Sequence, residues 1–437
     1  MDDDALFLEA VDAQRSGSLD KAHTLYLSLL ERHAENSVLL TYLGTVEYQL
    51  GDLTKALEHL DKSISINPAQ AMALTNRGLI LSQLGRAEDA IHNYMQALSV
   101  DARHAEAHLN CGLAHQDLED FDAAIFHYEK ALEINPNYAE ALSNYGNVRR
   151  TQGYLEEAVQ LYQQALGIRN NYAEASSNLG VVLYDLNRLE EARSAFLNSL
   201  AIDSSNDHTF SNFGVTLEAL GEIEAAIAAQ QQAISLNPNN ASAHYNLGNI
   251  YSRLKNYPQA IASYEAALKC NPDYLDAQAN LGAIYHASRH YQEALSVYDN
   301  ALSARPNTAE IHSNKGVVYH DLGQYEAAIQ CYMRAIELRS DYPEAYYNLG
   351  NSLSDQGRHM ESLSCYDQAI SFKPNYHEAL SNRGVNHHKL LQYESAVADF
   401  DQAIALCPSY FEAYSNKGVT LHKMGNYADA IEYFIKS

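Results

Sequence analysis

Apolar and small residues fall at helical spacing along the chain, in pairs of amphipathic segments, and the pair recurs at one fixed interval. Glycine marks the period at Gly44, Gly78, Gly112 and onward to Gly418, with no change of interval. Twelve residues after each glycine stands an alanine, Ala56 through Ala430, with Ser362 the exception, and seven further on comes another small residue. An aromatic follows most of these alanines by four, as at Tyr94, Tyr128, Tyr162, Tyr264, Tyr298, Tyr332, Tyr366, Phe400 and Phe434. Extended backwards, the frame catches Ala10, Gly17, Ala22 and Tyr26 as a first, divergent repeat. The windows then start near Asp3, and 1–437 is predicted to be one continuous array of thirteen repeats, the last of them (411–437) incomplete.

In the fourth window the pattern predicts helix A over Ala105–Leu118 and helix B over Phe121–Ile134, joined by a tight turn at Glu119-Asp120. The recurring glycine lies inside helix A, where it costs about 1 kcal/mol relative to alanine. That cost is intelligible if helix B crosses at this point and leaves no room for a side chain. Ala124 and Ala131 make one small-residue stripe on helix B, and Tyr128 between them supplies the bulk that fills the hairpin. Proline placement agrees: seven of nine (68, 136, 238, 272, 306, 374 and 408) sit at the connection from helix B to the next helix A. Pro258 and Pro343 fall in first turns, where a missing N–H costs little. No hairpin buries both faces alone, so each must stack on its neighbour. The expected fold is all-α, a right-handed superhelical solenoid whose concave face is lined by helix A.

Charge narrows the partners. Acidic residues outnumber basic ones 55 to 29, and the net charge of −26 argues against nucleic acid and against an anionic membrane surface. The start, Met1-Asp2-Asp3-Asp4, is acidic where a secretory signal is basic and then apolar, and no apolar run approaches the roughly 18 residues of a membrane span. Cys111, Cys270, Cys331, Cys365 and Cys407 contain no C-x-x-C pair. Cys331 and Cys365 occupy the same place in adjacent repeats, on helices about 8–10 Å apart, beyond the roughly 7 Å limit for a disulfide. Reduced, buried thiols and a cytoplasmic location are expected. Phosphate-binding, dinucleotide-binding and nucleophile-elbow motifs are missing, and the strict period leaves no insertion from which to build an irregular pocket. The expectation is a non-enzyme with no catalytic residues, no cofactor and no metal.

Glycine, alanine, alanine and proline at these intervals, with tyrosine between, resemble the tetratricopeptide-repeat family over the whole chain. The family's tryptophan place, four before each glycine, is filled here by Leu, His, Tyr, Phe, Ser or Gln. Within the family, the strings Asn382-Arg383-Gly384 and Tyr366–Ile370 are similar to the repeat regions of O-linked N-acetylglucosamine transferases and bacterial SPINDLY-like glycosyltransferases.

Two residues before the glycine, asparagine stands at Asn76, Asn110, Asn144, Asn178, Asn212, Asn246, Asn280, Asn314, Asn348, Asn382 and Asn416. Asparagine is a mediocre helix former, because its side chain competes for backbone hydrogen bonds. The place lies about 200° round the helix from the glycine, toward the open groove. An amide offers two donors and an acceptor, so it can clasp both N–H and C=O of an extended peptide without reading its side chains. Successive A helices about 10 Å apart would meet every third residue of a ligand rising about 3.3 Å per residue. The resemblance to the transferases, whose groove carries an asparagine ladder that holds protein substrates, implies the same. An asparagine here can equally bond to a neighbouring helix, and both roles are open. Asn147, Asn249 and Asn351, one residue after the glycine, would widen the contact.

Four residues after the glycine, His286, His320, His388 and His422 tint the later groove, either as cationic groups or as solvated polar side chains. The i, i+4 pairs His104/His108 and His286/His290 lack a third ligand in the sequence, and His108 fits a core place better than a metal site. Chaperone-tail binders of the family hold a terminal carboxylate in a Lys/Arg clamp. The matching places here hold Glu106, Glu140, Glu174, Glu310, Glu344, Glu378 and Glu412, which argues against that partner.

The expected function is a scaffold that binds an extended peptide or protein segment. Because the sequence ends inside helix B of the last repeat, with Ile431, Phe434 and Ile435 uncovered, two alternatives stay open. One is the N-terminal substrate-binding region of a larger glycosyltransferase; the other is a structural homo-oligomer paired through that end.

Overall fold

A computed structural model describes residues 3–437; Met1 and Asp2, which begin the acidic start of the chain, lie outside the described residues. The described residues form 26 α-helices, α1 to α26 in chain order, and no strand. Odd-numbered helices are the A helices and even-numbered ones the B helices. Each B helix is one residue longer than its A helix, except for the short α26 (Tyr427–Lys436). The chain divides into two compact units, Met1–Ala226 and Ile227–Ser437. In the first, six hairpins stack in sequence order from α1/α2 to α11/α12; in the second, six stack from α15/α16 to α25/α26. Within each of these stacks, each A helix packs mainly on its own B helix, and each B helix on the next A helix.

The fourth hairpin shows why. α7 (Ala105–Asp117) ends one residue before the predicted Leu118, which is the C-cap, and α8 (Phe121–Ile134) matches its predicted bounds. Asp120 starts α8 by accepting a hydrogen bond from the Ala123 N–H, 3.3 Å away, on its carboxylate. Ala124, Tyr128 and Ala131 are fully buried and join Ala141 and Val148 of α9 (Ala139–Thr151) in one cluster. The core is therefore a row of small clusters, each closed by the next A helix. Glycine in helix A is explained by the aromatic ring of helix B: a Cβ at Gly112 would lie 2.6 Å from the Tyr128 ring. At Gly44 a leucine, Leu60, does the same job.

The hairpin turns share a requirement the period alone does not reveal. Seven residues after the glycine place, all thirteen turns have a left-handed residue. Eight are glycine, and Glu119, Asn187, Lys255, Arg289 and Leu391 take φ between 56° and 62° despite carrying side chains. All five cysteines are free thiols, but only Cys111 is buried; the other four are partly exposed.

Candidate groove of the A helices

Ten of the eleven ladder asparagines are half-buried and Asn212 is exposed. Their hydrogen bonds divide them. The Asn178 amide donates to Asn147 Oδ1 in the preceding repeat at 3.0 Å, Asn280 to Asn249 at 3.0 Å, and Asn382 to Asn351 at 2.9 Å. Asn76 donates to Thr45 Oγ1, which holds the same place, at 2.7 Å. These four tied rungs fall in every third repeat, because the residue after the glycine is polar only in the repeat before each of them. Elsewhere that residue is Leu, Val or Ala, as at Leu113 and Val317.

The three acceptor asparagines are held in place by the core tyrosines. Tyr162, Tyr264 and Tyr366 donate their hydroxyls to Asn147, Asn249 and Asn351 at 2.6, 2.7 and 2.8 Å. Each ring fills its hairpin while the hydroxyl reaches the groove edge, and burial pushes the Tyr264 phenol up to about 12. Tyr245 and Tyr347 add second acceptors for Asn280 and Asn382, at 3.3 and 3.1 Å. Asn147, Asn249 and Asn351 thus bind the ladder from below. By contrast, Asn110, Asn144, Asn212, Asn314, Asn348 and Asn416 make no side-chain hydrogen bond to another of the described residues, whereas Asn246 is engaged within the protein.

A hollow of about 280 Å³ in the second unit brings His320, Asn351, Asp355, Asn382, Asn386 and Lys389 together. Of the four groove histidines, His286 and His320 bond to Asp321 and Asp355 of the next repeat at 2.7 and 3.1 Å. His388 bonds to Thr420 Oγ1 at 2.9 Å, and burial holds it below its ordinary pKa. His422 is exposed, with its ring 5.2 Å from that of Tyr427. Two of the four are therefore countered by carboxylates rather than forming a cationic stripe. Some of the acids at the clamp places are occupied too: Glu140 pairs with Arg169 at 2.6 Å and Glu310 with Arg339 at 2.5 Å.

The first of the two histidine pairs is split between a cap and the core. His104 Nδ1 accepts the Ala107 N–H as the N-cap of α7, 3.2 Å away, while His108 is buried in the hairpin. The structure instead joins His108 to His127 on α8, Nδ1 to Nδ1 at 3.0 Å, and places Cys111 Sγ 3.4 Å from His127 Nε2. Burial holds His127 down to about 4 and pushes the Cys111 thiol up to about 12. His127 escaped the sequence reading because it lies on the other helix, across the hairpin from Cys111.

Comparison with known proteins agrees with the repeat. A model described as TPR repeat matches residues 146–186, 216–255, 290–323, 318–357 and 392–425. Models described as Tetratricopeptide repeat match 105–138, 241–274 and 343–376, and also 35–103, 127–160 and 167–207. Among solved structures the chain is similar to the APC/C hetero-tetramer Cut9-Hcn1, at 15% identity and a TM-score of 0.48, covering 100% of this chain and 93% of that one. It is also similar to yeast Tom70, at 16% identity and a TM-score of 0.45, covering 100% and 97%. No curated protein matches the chain. No helix among the described residues is long and apolar enough to cross a membrane. With repeat models tiling most of its windows, the chain belongs to the tetratricopeptide-repeat family.

Proposed function

We propose that this protein is a non-catalytic, cytoplasmic protein-interaction scaffold, and that its A helices hold an extended protein segment through the untied rungs of the asparagine ladder. The observation that carries this reading is the division of the ladder. In the first unit Asn110 and Asn144 stand between the tied Asn76 and Asn178; in the second, Asn314 and Asn348 stand between Asn280 and Asn382. An amide without a side-chain partner on a half-buried face keeps both donors and its acceptor for a peptide backbone. Neighbouring rungs about 10 Å apart suit contact with every third residue of an extended chain. The tied rungs stiffen the helix-to-helix spacing, so that the register is set before the ligand arrives.

The test uses a peptide selected from a random displayed library against the whole chain, with binding followed by fluorescence anisotropy. The Asn314→Ala/Asn348→Ala variant should bind at least 10-fold more weakly with an unchanged urea midpoint. Asn280→Ala/Asn382→Ala should lose stability first. Unchanged peptide affinity in the first variant would refute ligand contact by the ladder.

A further inference from the structure

Beyond the groove, one cluster of donor atoms sits between the helices of the fourth hairpin. Cys111 Sγ and one ring nitrogen each of His115 and His127 lie within 4.8 Å of one another, the only such set of three or more metal-binding side chains among the described residues. Cys111 and His115 are one turn apart on α7, and His127 faces them from α8. We propose that Cys111, His115 and His127 form a zinc site that cross-links α7 to α8.

Three features of the geometry support a built site. First, a tetrahedral zinc with Zn–S near about 2.3 Å and Zn–N of about 2.0–2.1 Å requires sulfur and nitrogen to be roughly 3.5 Å apart. The Cys111 Sγ to His127 Nε2 distance is 3.4 Å. Second, both imidazoles are oriented from behind. His108 Nδ1 stands 3.0 Å from His127 Nδ1, so that with His108 accepting there His127 carries its proton on Nδ1. That fixes the His127 tautomer with its Nε2 lone pair toward Cys111. His115 Nδ1 meets the Asp120 carboxylate at 3.2 Å, leaving Nε2 for a cation, the carboxylate–histidine arrangement that commonly backs zinc ligands. Third, Cys111 is wholly buried while the His115 side chain keeps 18% of its exposure, so an ion can enter from that side and a fourth position is left for water.

The Cys111/His127 contact occupies a register where other repeats place polar pairs, as in Arg77/Asn93 and Arg383/Asp399. In the fourth repeat both members are soft or borderline ligands rather than a cation and its acceptor. Binding replaces the thiol proton by the metal, and that proton passes to solvent, so each zinc bound releases one proton.

The test uses the whole chain, stripped with a chelator and kept reduced. Cobalt(II) should bind with one equivalent and give a thiolate-to-cobalt charge-transfer band, and calorimetry should give one zinc per chain with proton release. Cys111→Ser should abolish the band and weaken zinc binding at least 100-fold, whereas Cys331→Ser should leave both unchanged. Asp120→Asn keeps a good N-cap and should weaken zinc binding by about 10-fold. His115→Gln, at the exposed edge, removes one ligand with the hairpin intact by circular dichroism, which separates lost coordination from lost folding. No charge-transfer band in the unmodified chain, or a band that persists in Cys111→Ser, overturns the proposal.

Discussion

Replacing Gly282 by alanine tests the packing logic of the whole array. A Cβ built at Gly282 lies 2.3 Å from Cε1 and 2.4 Å from Cζ of Tyr298. Carbon atoms in contact sit about 3.5–4.0 Å apart, so the ring must retreat by more than about 1 Å. It has nowhere to go: Tyr298 is 1% exposed and packed among Ala294, Leu295, Ala301, Ile311 and Val318. Overpacking of this kind costs about 1–3 kcal/mol, and the overlap here is the most severe of the helix A glycines, which puts it near the upper end. Alanine returns about 1 kcal/mol of helix propensity, leaving a net loss of about 2 kcal/mol. Tyr298→Leu removes the ring, imitating the Gly44/Leu60 pair, and should rescue the alanine so that the two changes couple by about 1–2 kcal/mol. Stacked repeats need not unfold in one step, so urea unfolding should be paired with amide exchange in α17 (Leu275–Ala287) and α18 (Tyr291–Ala304). A Gly282→Ala chain more stable than the parent, or strictly additive effects, would refute the steric account of the recurring glycine.

Two further outcomes follow from particular residues. Leu391 holds φ at 61° and is 71% exposed, so Leu391→Gly should relieve left-handed strain and stabilise by about 1 kcal/mol in thermal unfolding; a fall in midpoint would show that its side chain contributes contacts. The buried Glu47 carboxylate meets His59 Nδ1 at 2.7 Å and His23 Nε2 at 3.3 Å, and the hydrogen bond to Glu47 raises the His59 pKa above its ordinary value of 6.5. Because the folded pKa is the higher one, the stabilisation is complete below about pH 6.5 and is lost as pH rises through the folded value. Amide exchange in α3 (Ser37–Gln49) and α4 (Leu53–Ile66) should quicken on raising the pH from about 6 to about 8, after correction for intrinsic rates. Glu47→Gln should flatten that difference, and an unchanged slope would remove His59 as its source.

The fold was legible because its determinants are local and repeated. Glycine, the small stripe and the proline connections each constrain one place in the window, and thirteen copies average out the divergence of any one. Helix bounds followed to within a residue at Leu118, where the C-cap is settled by backbone geometry rather than by polarity. The turn at Glu119-Asp120 was legible from the spacing of the two helices, but its left-handed backbone was not, nor was that at Leu391 or Lys255, whose residue types give no sign of it. The cysteines illustrate the opposite limit. The equal register of Cys331 and Cys365 was visible, but how far each thiol is covered depends on packing that the pattern does not give, and only Cys111 is enclosed. His127 could not be placed beside Cys111 without knowing how α8 crosses α7, since pattern alone assigns each residue to a face but not to a partner.

The ladder shows how one row of equivalent residues, whose two roles the pattern leaves open, can be sorted by the hydrogen bonds its members make. Eleven asparagines share a place, which favours one explanation for all of them. The residue three positions later, however, is polar only in every third repeat, at Thr45, Asn147, Asn249 and Asn351. The ladder asparagine of the following repeat is drawn into a hydrogen bond with each of these, and for the last three a core tyrosine completes the arrangement. A net bond of about 1 kcal/mol is enough to fix a rotamer that would otherwise sample the groove. Selection for peptide contact alone would give no reason for a three-repeat period in the supporting residue. Selection for helix spacing alone would give no reason to keep Asn110, Asn144, Asn314 and Asn348. These bond to no other side chain among the described residues, and alanine would replace them with a gain in helix propensity. On the proposed reading the two roles are divided among the rungs, and the untied ones are where a ligand's backbone should be sought.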